Sequence, residues 1–142
     1  MLDKNLKSKE QPKKEKLENA PGWNSERLGS FARDLHKWLV KHHLWIDVCI
    51  YYDGKRISTN RREGERTVYR YNGEPFIEEA DPRDYFDYVA DPHILSMSFE
   101  GSLYELINYG FGGLKNEFQK IFQKYGVYYE LGNAWNLTCY EE

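Results

Sequence analysis

The residues of this chain that could do chemistry are two cysteines, four histidines and a run of aspartates. A thiol nucleophile needs exposure and a base to take its proton. Cys49 and Cys139 instead sit in short apolar stretches that read as strands, where a thiol behaves as a small buried hydrophobe. A pairing of either with His93 would have to be assembled by the fold, and a disulfide between them needs neighbouring strands. His42 and His43 are adjacent, so on a helix they point in different directions and serve one metal ion poorly. Asp81, Asp84, Asp87, Asp91 and Glu100, with Lys55 or Lys115 as helpers, contain enough carboxylates for a divalent ion. No strand carries them in the spacing that a metal-dependent nuclease uses. Gly110, Gly112 and Gly113 join two helical stretches and are not followed by Gly-Lys-Ser/Thr, so they do not form a phosphate loop. No residue is assigned a catalytic or metal-binding role, and no cofactor is expected.

The most distinctive stretch is Glu78–His93, EEADPRDYFDYVADPH, with six carboxylates, two aspartyl-prolines and three aromatics. Asp81 suits an N-cap, with Pro82 at the first helical position and Asp84 in the first turn. The spacing predicts a short helix with Tyr85, Tyr88 and Val89 on one face and Phe86 elsewhere. Asp81, Asp84, Tyr85, Phe86, Asp87, Tyr88 and Asp91 then read as an acidic, aromatic face for a basic partner.

The counterpart is a basic patch of Lys55, Arg56, Arg61, Arg62, Arg66 and Arg70, interleaved with Tyr69 and Tyr71. Arginine beside tyrosine can hold phosphates and stack bases, so this patch is the alternative site, for nucleic acid. Charge is divided along the chain: residues 1–73 carry sixteen Lys/Arg against ten Asp/Glu, and residues 74–142 carry four against thirteen. A net charge of −3 conceals that division, which bears on partners more than on fold.

The elements around these residues are legible from periodicity. Residues 1–22, rich in Lys, Glu, Asn, Gln and Pro, are expected to form a flexible leader. Residues 23–142 are expected to be one domain. Trp23 precedes the N-cap candidates Asn24 and Ser25, and Leu28, Phe31, Leu35, Trp38 and Leu39 follow at helical spacing. The run from Trp45 to Thr59 predicts a hairpin turning at Asp53-Gly54. Asn60–Arg66 reads as a basic loop and Thr67–Tyr71 as a third strand. Leu95, Met97 and Phe99 alternate as a half-buried strand. Ser102 is read as the cap of a helix ending at Gly110, and Leu114–Tyr125 as a second helix closed by Gly126. The chain then closes in a hairpin with its turn at Gly132-Asn133.

The order helix, three strands, short helix, strand, two helices, two strands predicts an α+β fold, a mainly antiparallel sheet with helices on one face. No apolar run approaches the roughly eighteen residues that span a bilayer. With lysines but no apolar core at the N-terminus, a cytoplasmic location is expected.

Small size, twelve tyrosines and an acidic half without an active-site motif together resemble the small accessory proteins of phages and mobile elements, a resemblance of kind that no defining motif carries. Such proteins include inhibitors of restriction and CRISPR nucleases. The resemblance implies a non-enzymatic inhibitor whose acidic, aromatic face occupies the groove of a basic nucleic-acid-binding protein.

Overall fold

The computed structural model describes residues 15–142, so most of the expected leader lies outside the described residues. Helix α1 spans Ser25–Lys41, and Asn24 caps it, its side chain accepting from the Arg27 amide at 2.9 Å. Strands β1 (Val48–Tyr52) and β2 (Lys55–Ser58) form the expected hairpin, with Asp53 and Gly54 both at positive φ, as a two-residue turn that follows the strand twist requires. Strands β3 (Asn60–Glu63) and β4 (Arg66–Tyr69) form a separate two-stranded ribbon. After β5 (Phe76–Glu79), a single 3-10 turn at Pro82–Asp84 and β6 (Ser96–Phe99) come α2 (Ser102–Tyr109) and α3 (Gly113–Lys124). Strands β7 (Val127–Asn133) and β8 (Asn136–Glu141) close the chain.

Six strands make one antiparallel sheet in the order β5-β2-β1-β6-β8-β7. The fold is therefore α+β with a mainly antiparallel sheet, as the periodicities require. Ile57, Ile50, Met97 and Leu137 stand opposite one another across four strands and are all buried. They belong to the same core as Leu28, Phe31 and Leu35 of α1 and Phe118 and Phe122 of α3. Burying such side chains contributes about 1.5–3 kcal/mol each, which is what holds the helices on this face.

Several local expectations are corrected. The basic loop at Asn60–Arg66 is β3 and the start of β4, turning at Gly64, whose φ of 66° suits glycine. β5 was unforeseen, because Pro75 precedes it and only Phe76 and Ile77 are apolar. Ser102 does not cap α2: Gly101 holds that position without a side-chain hydrogen bond, and a Cβ there would stand 2.9 Å from the Ile46 carbonyl oxygen. Strand β7 runs through Gly132-Asn133, where the register shifts, and the hairpin turns at Ala134-Trp135. A bulge and a turn both call for residues tolerant of unusual backbone, so the same dipeptide suits either.

Within the segment expected to be a leader, the His93 amide donates to the Glu18 carbonyl and the Ala20 amide to the His93 carbonyl, at 2.8 and 2.9 Å. Ala20 is buried, and Trp23 packs against Phe31 with ring centroids 6.0 Å apart. Among the described residues no helix is long and apolar enough to cross a membrane.

Candidate functional site

The helices cover one side of the sheet, and alternation places a different set of residues on the other. One cross-strand row there is Glu78, Arg56, Tyr51, Ser96, Thr138 and Glu130; the next is Phe76, Ser58, Cys49, Ser98 and Asn136. This second side is polar, and what lies on it is the acidic, aromatic segment.

The expected short helix does not form there. After the single turn at Pro82–Asp84, with Asp81 capping the Arg83 amide at 2.9 Å, the chain flattens onto the sheet. An isolated helical turn is marginal, whereas laying the chain down gains tertiary contacts. The Phe86 ring meets Tyr51 edge-on with centroids 5.1 Å apart, and Tyr85 lies 5.4 Å from the same ring. The Ala90 amide donates to the Thr138 hydroxyl, and Val89 and Ala90 are buried. The expected grouping is thus broken: Val89 parts from the tyrosines and turns inward with Phe86, while Tyr85 and Tyr88 turn outward, 54% and 61% exposed.

Of the seven residues read as a partner face, Asp84, Tyr85, Asp87, Tyr88 and Asp91 are exposed. Asp81 is half-buried and bridged by the Arg83 guanidinium at 2.6 Å, and Phe86 is half-buried as an anchor. The sequence reading missed the continuation of this face. A Tyr88–Tyr140 hydrogen bond raises the Tyr140 phenol to about 12, and Tyr140 stacks on Tyr128 of β7 with centroids 5.7 Å apart. These tyrosines form a ladder from the acidic segment to the sheet edge, and only strand register brings them together.

Beneath the segment lies a buried polar chain. His93 Nε2 is 2.8 Å from the Ser96 hydroxyl, which is in turn 2.9 Å from Thr138 Oγ1, a continuous hydrogen-bonded chain. Burial holds His93 down at about 4, and the ring is neutral at pH 7. His93 also borders a cleft of about 560 Å³ at the tip of the β1–β2 hairpin, lined by Lys16, Asn19, Tyr52, Lys55 and Asp81 among others. Ser96 is fully buried, so its hydroxyl is not presented to a substrate. The cysteines occupy β1 and β8 with β6 between them, and both are free thiols. Burial pushes both thiols up from their ordinary value, away from the reactive thiolate. Among the described residues, no group of three or more His, Cys, Asp or Glu side chains could hold a metal ion.

The six basic residues do not share one face. Lys55 stands over the Tyr52 ring at 5.5 Å. Arg56 pairs with Glu78 across β2 and β5 and lies 5.1 Å from the Tyr85 ring, which builds it into the acidic segment's footing. Arg61 pairs with Glu63, and the Arg61 and Arg70 guanidinium groups stand 4.5 and 4.1 Å from the Phe76 ring centre. By strand alternation Arg61, Arg66 and Arg70 share one side of the ribbon, while Arg62 shares the other with Tyr69.

Compared with protein-family models, curated proteins and solved structures, the chain matches none.

The functional reading therefore rests on this geometry. Other exposed rings among the described residues are Tyr69 and Tyr71 at the end of β4, Tyr109 and Phe111 at the α2–α3 connection, the latter 90% exposed, and Trp135 at the β7–β8 turn. Asn108 joins α2 to the β7–β8 turn by donating to the Ala134 carbonyl at 2.8 Å.

Proposed function

We propose that this protein is a non-enzymatic binding protein that uses the acidic, aromatic segment against a basic nucleic-acid-handling protein. The observation that carries the reading is the outward placement of Tyr85 and Tyr88 beside the exposed carboxylates of Asp84, Asp87 and Asp91, on a segment pinned from below by Phe86, Val89 and Ala90. Exposed rings usually cost solubility, and a pinned segment loses little entropy when it docks. Tyrosines of this kind supply contact area, while the carboxylates steer a cationic surface and set its register. Occlusion of a groove that otherwise holds nucleic acid, as inhibitors of restriction and CRISPR nucleases achieve it, is the activity that suits such a face.

The basic patch supports direct nucleic-acid binding less well. Arg56 and Arg61 are engaged with Glu78 and Glu63, and Arg62 faces away from Arg61, Arg66 and Arg70. A phosphate backbone is best met by several cations on one continuous surface.

The test is retention of partners from a host-cell lysate by the immobilised protein, run beside retention of labelled DNA and RNA at two salt concentrations. A basic protein should be captured, and Asp84→Lys with Asp87→Lys should weaken its binding by roughly tenfold or more, the scale of about 1.4 kcal/mol. Salt-sensitive capture of DNA or RNA that Arg62→Ala with Arg66→Ala abolishes would instead place the function on the ribbon.

A further inference from the structure

The sheet has two edges, and they differ. β5 is four residues long, has Pro75 before it and two glutamates within it, and so carries the usual blunting devices. β7 is seven residues long, contains no proline or lysine, and has Glu130 as its one carboxylate. Among the described residues its strand neighbour is β8, on one side only.

Two backbone bonds fix which groups of β7 point outward. The Glu142 amide donates to the Gly126 carbonyl, and the Cys139 amide donates away from β7, to Leu95. In an antiparallel pair the inward and outward residues alternate. Tyr128 and Glu130 therefore pair inward with Tyr140 and Thr138, while Val127, Tyr129 and Leu131 turn their N–H and C=O groups to the open edge. A groove of about 260 Å³ runs beside this edge between β7 and α3, lined by Gln119, Phe122, Gln123, Val127, Tyr129 and Glu142 among others.

We infer that the β7 edge takes up an extended, lysine- or arginine-bearing segment of another protein as a seventh strand. The main-chain groups of Val127, Tyr129 and Leu131 would supply the ladder, and alternate side chains of the guest would enter the groove against α3. Charge selects the guest. β7 and β8 contain no Lys or Arg, Glu130 lies in β7, Glu141 ends β8 opposite Val127, and Glu142 follows it beside Gly126. A second copy of this chain, pairing edge to edge, would bring the same carboxylates against them, and like charges across a strand pair are unfavourable. This inference has its own observation, a β7 edge with no further strand among the described residues, and holds whether or not Asp84 and Asp87 contact a partner.

The experiment uses the full chain and a labelled ten-residue peptide alternating Val with Lys, with Val-Glu and proline-interrupted Val-Lys peptides as controls. Binding is followed by fluorescence anisotropy and the contact by amide hydrogen exchange. The Val-Lys peptide should bind at least tenfold more tightly than either control and slow exchange at Tyr129 and Leu131. Leu131→Pro, which removes an outward donor while leaving the bonds to β8, should abolish that binding while the protein still unfolds cooperatively. Glu130→Lys should weaken it, and Asp84→Lys with Asp87→Lys should leave the protection of β7 in place. Absence of binding, equal binding of the Val-Glu peptide, or binding without protection at Tyr129 and Leu131 would overturn the inference. So would sedimentation as a dimer with those amides already protected, because the edge would then belong to a second copy.

Discussion

The rings of Tyr51 in β1 and Phe86 in the acidic segment meet edge-on, centroids 5.1 Å apart and planes at 75°. Edge-to-face pairs contribute about 0.5–1.5 kcal/mol beyond their buried area. This contact and the burial of Val89 and Ala90 fasten the segment to the polar side of the sheet.

Phe86→Ala should therefore lower the unfolding free energy by about 2 kcal/mol, below the range for a fully buried phenylalanine because Phe86 is half-buried. Urea denaturation measures the loss. Hydrogen exchange should show faster opening of residues 84–90 than of β1, and partner capture should weaken although no carboxylate has been altered. Unchanged exchange across the segment would show that Phe86 is not its anchor.

His93 makes stability depend on pH. Burial lowers its pKa from 6.5 to about 4 in the folded protein, so the unfolded chain binds the proton more readily. The contribution is complete above pH 6.5 and is lost as pH falls through the window from about 6.5 to 4, with an upper size of about 3 kcal/mol. Asp34, hydrogen-bonded by Lys124 and Tyr125, has its pKa lowered from 3.8 despite an opposing desolvation effect, so its loss falls below that window. Thermal unfolding between pH 4 and pH 7 should show the His93 slope, and His93→Gln should flatten it. An unchanged slope in the variant would assign the dependence to other groups.

Which parts of this were legible beforehand follows from how local each signal is. The three helices, apart from the cap of α2, the Asp53-Gly54 turn and the alternating strand at Leu95, Met97 and Phe99 depend on neighbours within a few residues, and were readable. β5 has too few apolar residues to announce itself, and the Arg-rich strand β3 looks like a loop because one ribbon face is solvated. In the acidic segment the residues were identifiable but their directions were not. Helical spacing grouped Val89 with Tyr85 and Tyr88 and set Phe86 apart, whereas contacts with Tyr51 and Thr138 from distant strands turn Val89 and Phe86 inward together and leave the tyrosines outside. The Tyr88–Tyr140–Tyr128 ladder joins three elements through the β7–β8 register and leaves no pattern in the order of residues.

Arg56 separates a structural cation from a nucleic-acid ligand. Its guanidinium bonds Glu78 and lies over the Tyr85 ring, with the side chain only 19% exposed. Arg56→Ala should cost about 1–2 kcal/mol, through the unpaired Glu78 carboxylate and the lost ring contact, because a partly exposed pair lies between the surface and buried limits. Arg66→Ala, on the exposed ribbon, should change stability by less than about 0.5 kcal/mol. Chemical denaturation of the two variants checks this. Equal effects would mean that the Glu78 pairing contributes nothing.

The thiols give an independent test of the second side of the sheet. Cys139 is buried in β8 with its pKa raised by desolvation alone. Cys49 is half-buried in β1 on the polar side, and desolvation, the largest effect on it, outweighs the lowering by its Ser98 hydrogen bond and by Arg56. A thiol alkylates through its thiolate, so both should react with iodoacetamide far more slowly at pH 7.5 than in denaturant, with Cys139 the slower of the two. Phe86→Ala should speed Cys49 without speeding Cys139, because Cys49 lies on the side the segment covers and Cys139 belongs to the core cluster under the helices. Peptide mass spectrometry after timed quenching resolves the two sites. Fast native labelling of Cys49 in the unaltered protein would reveal a reactive thiol in β1, and the non-enzymatic reading would then have to be abandoned for a search for its substrate.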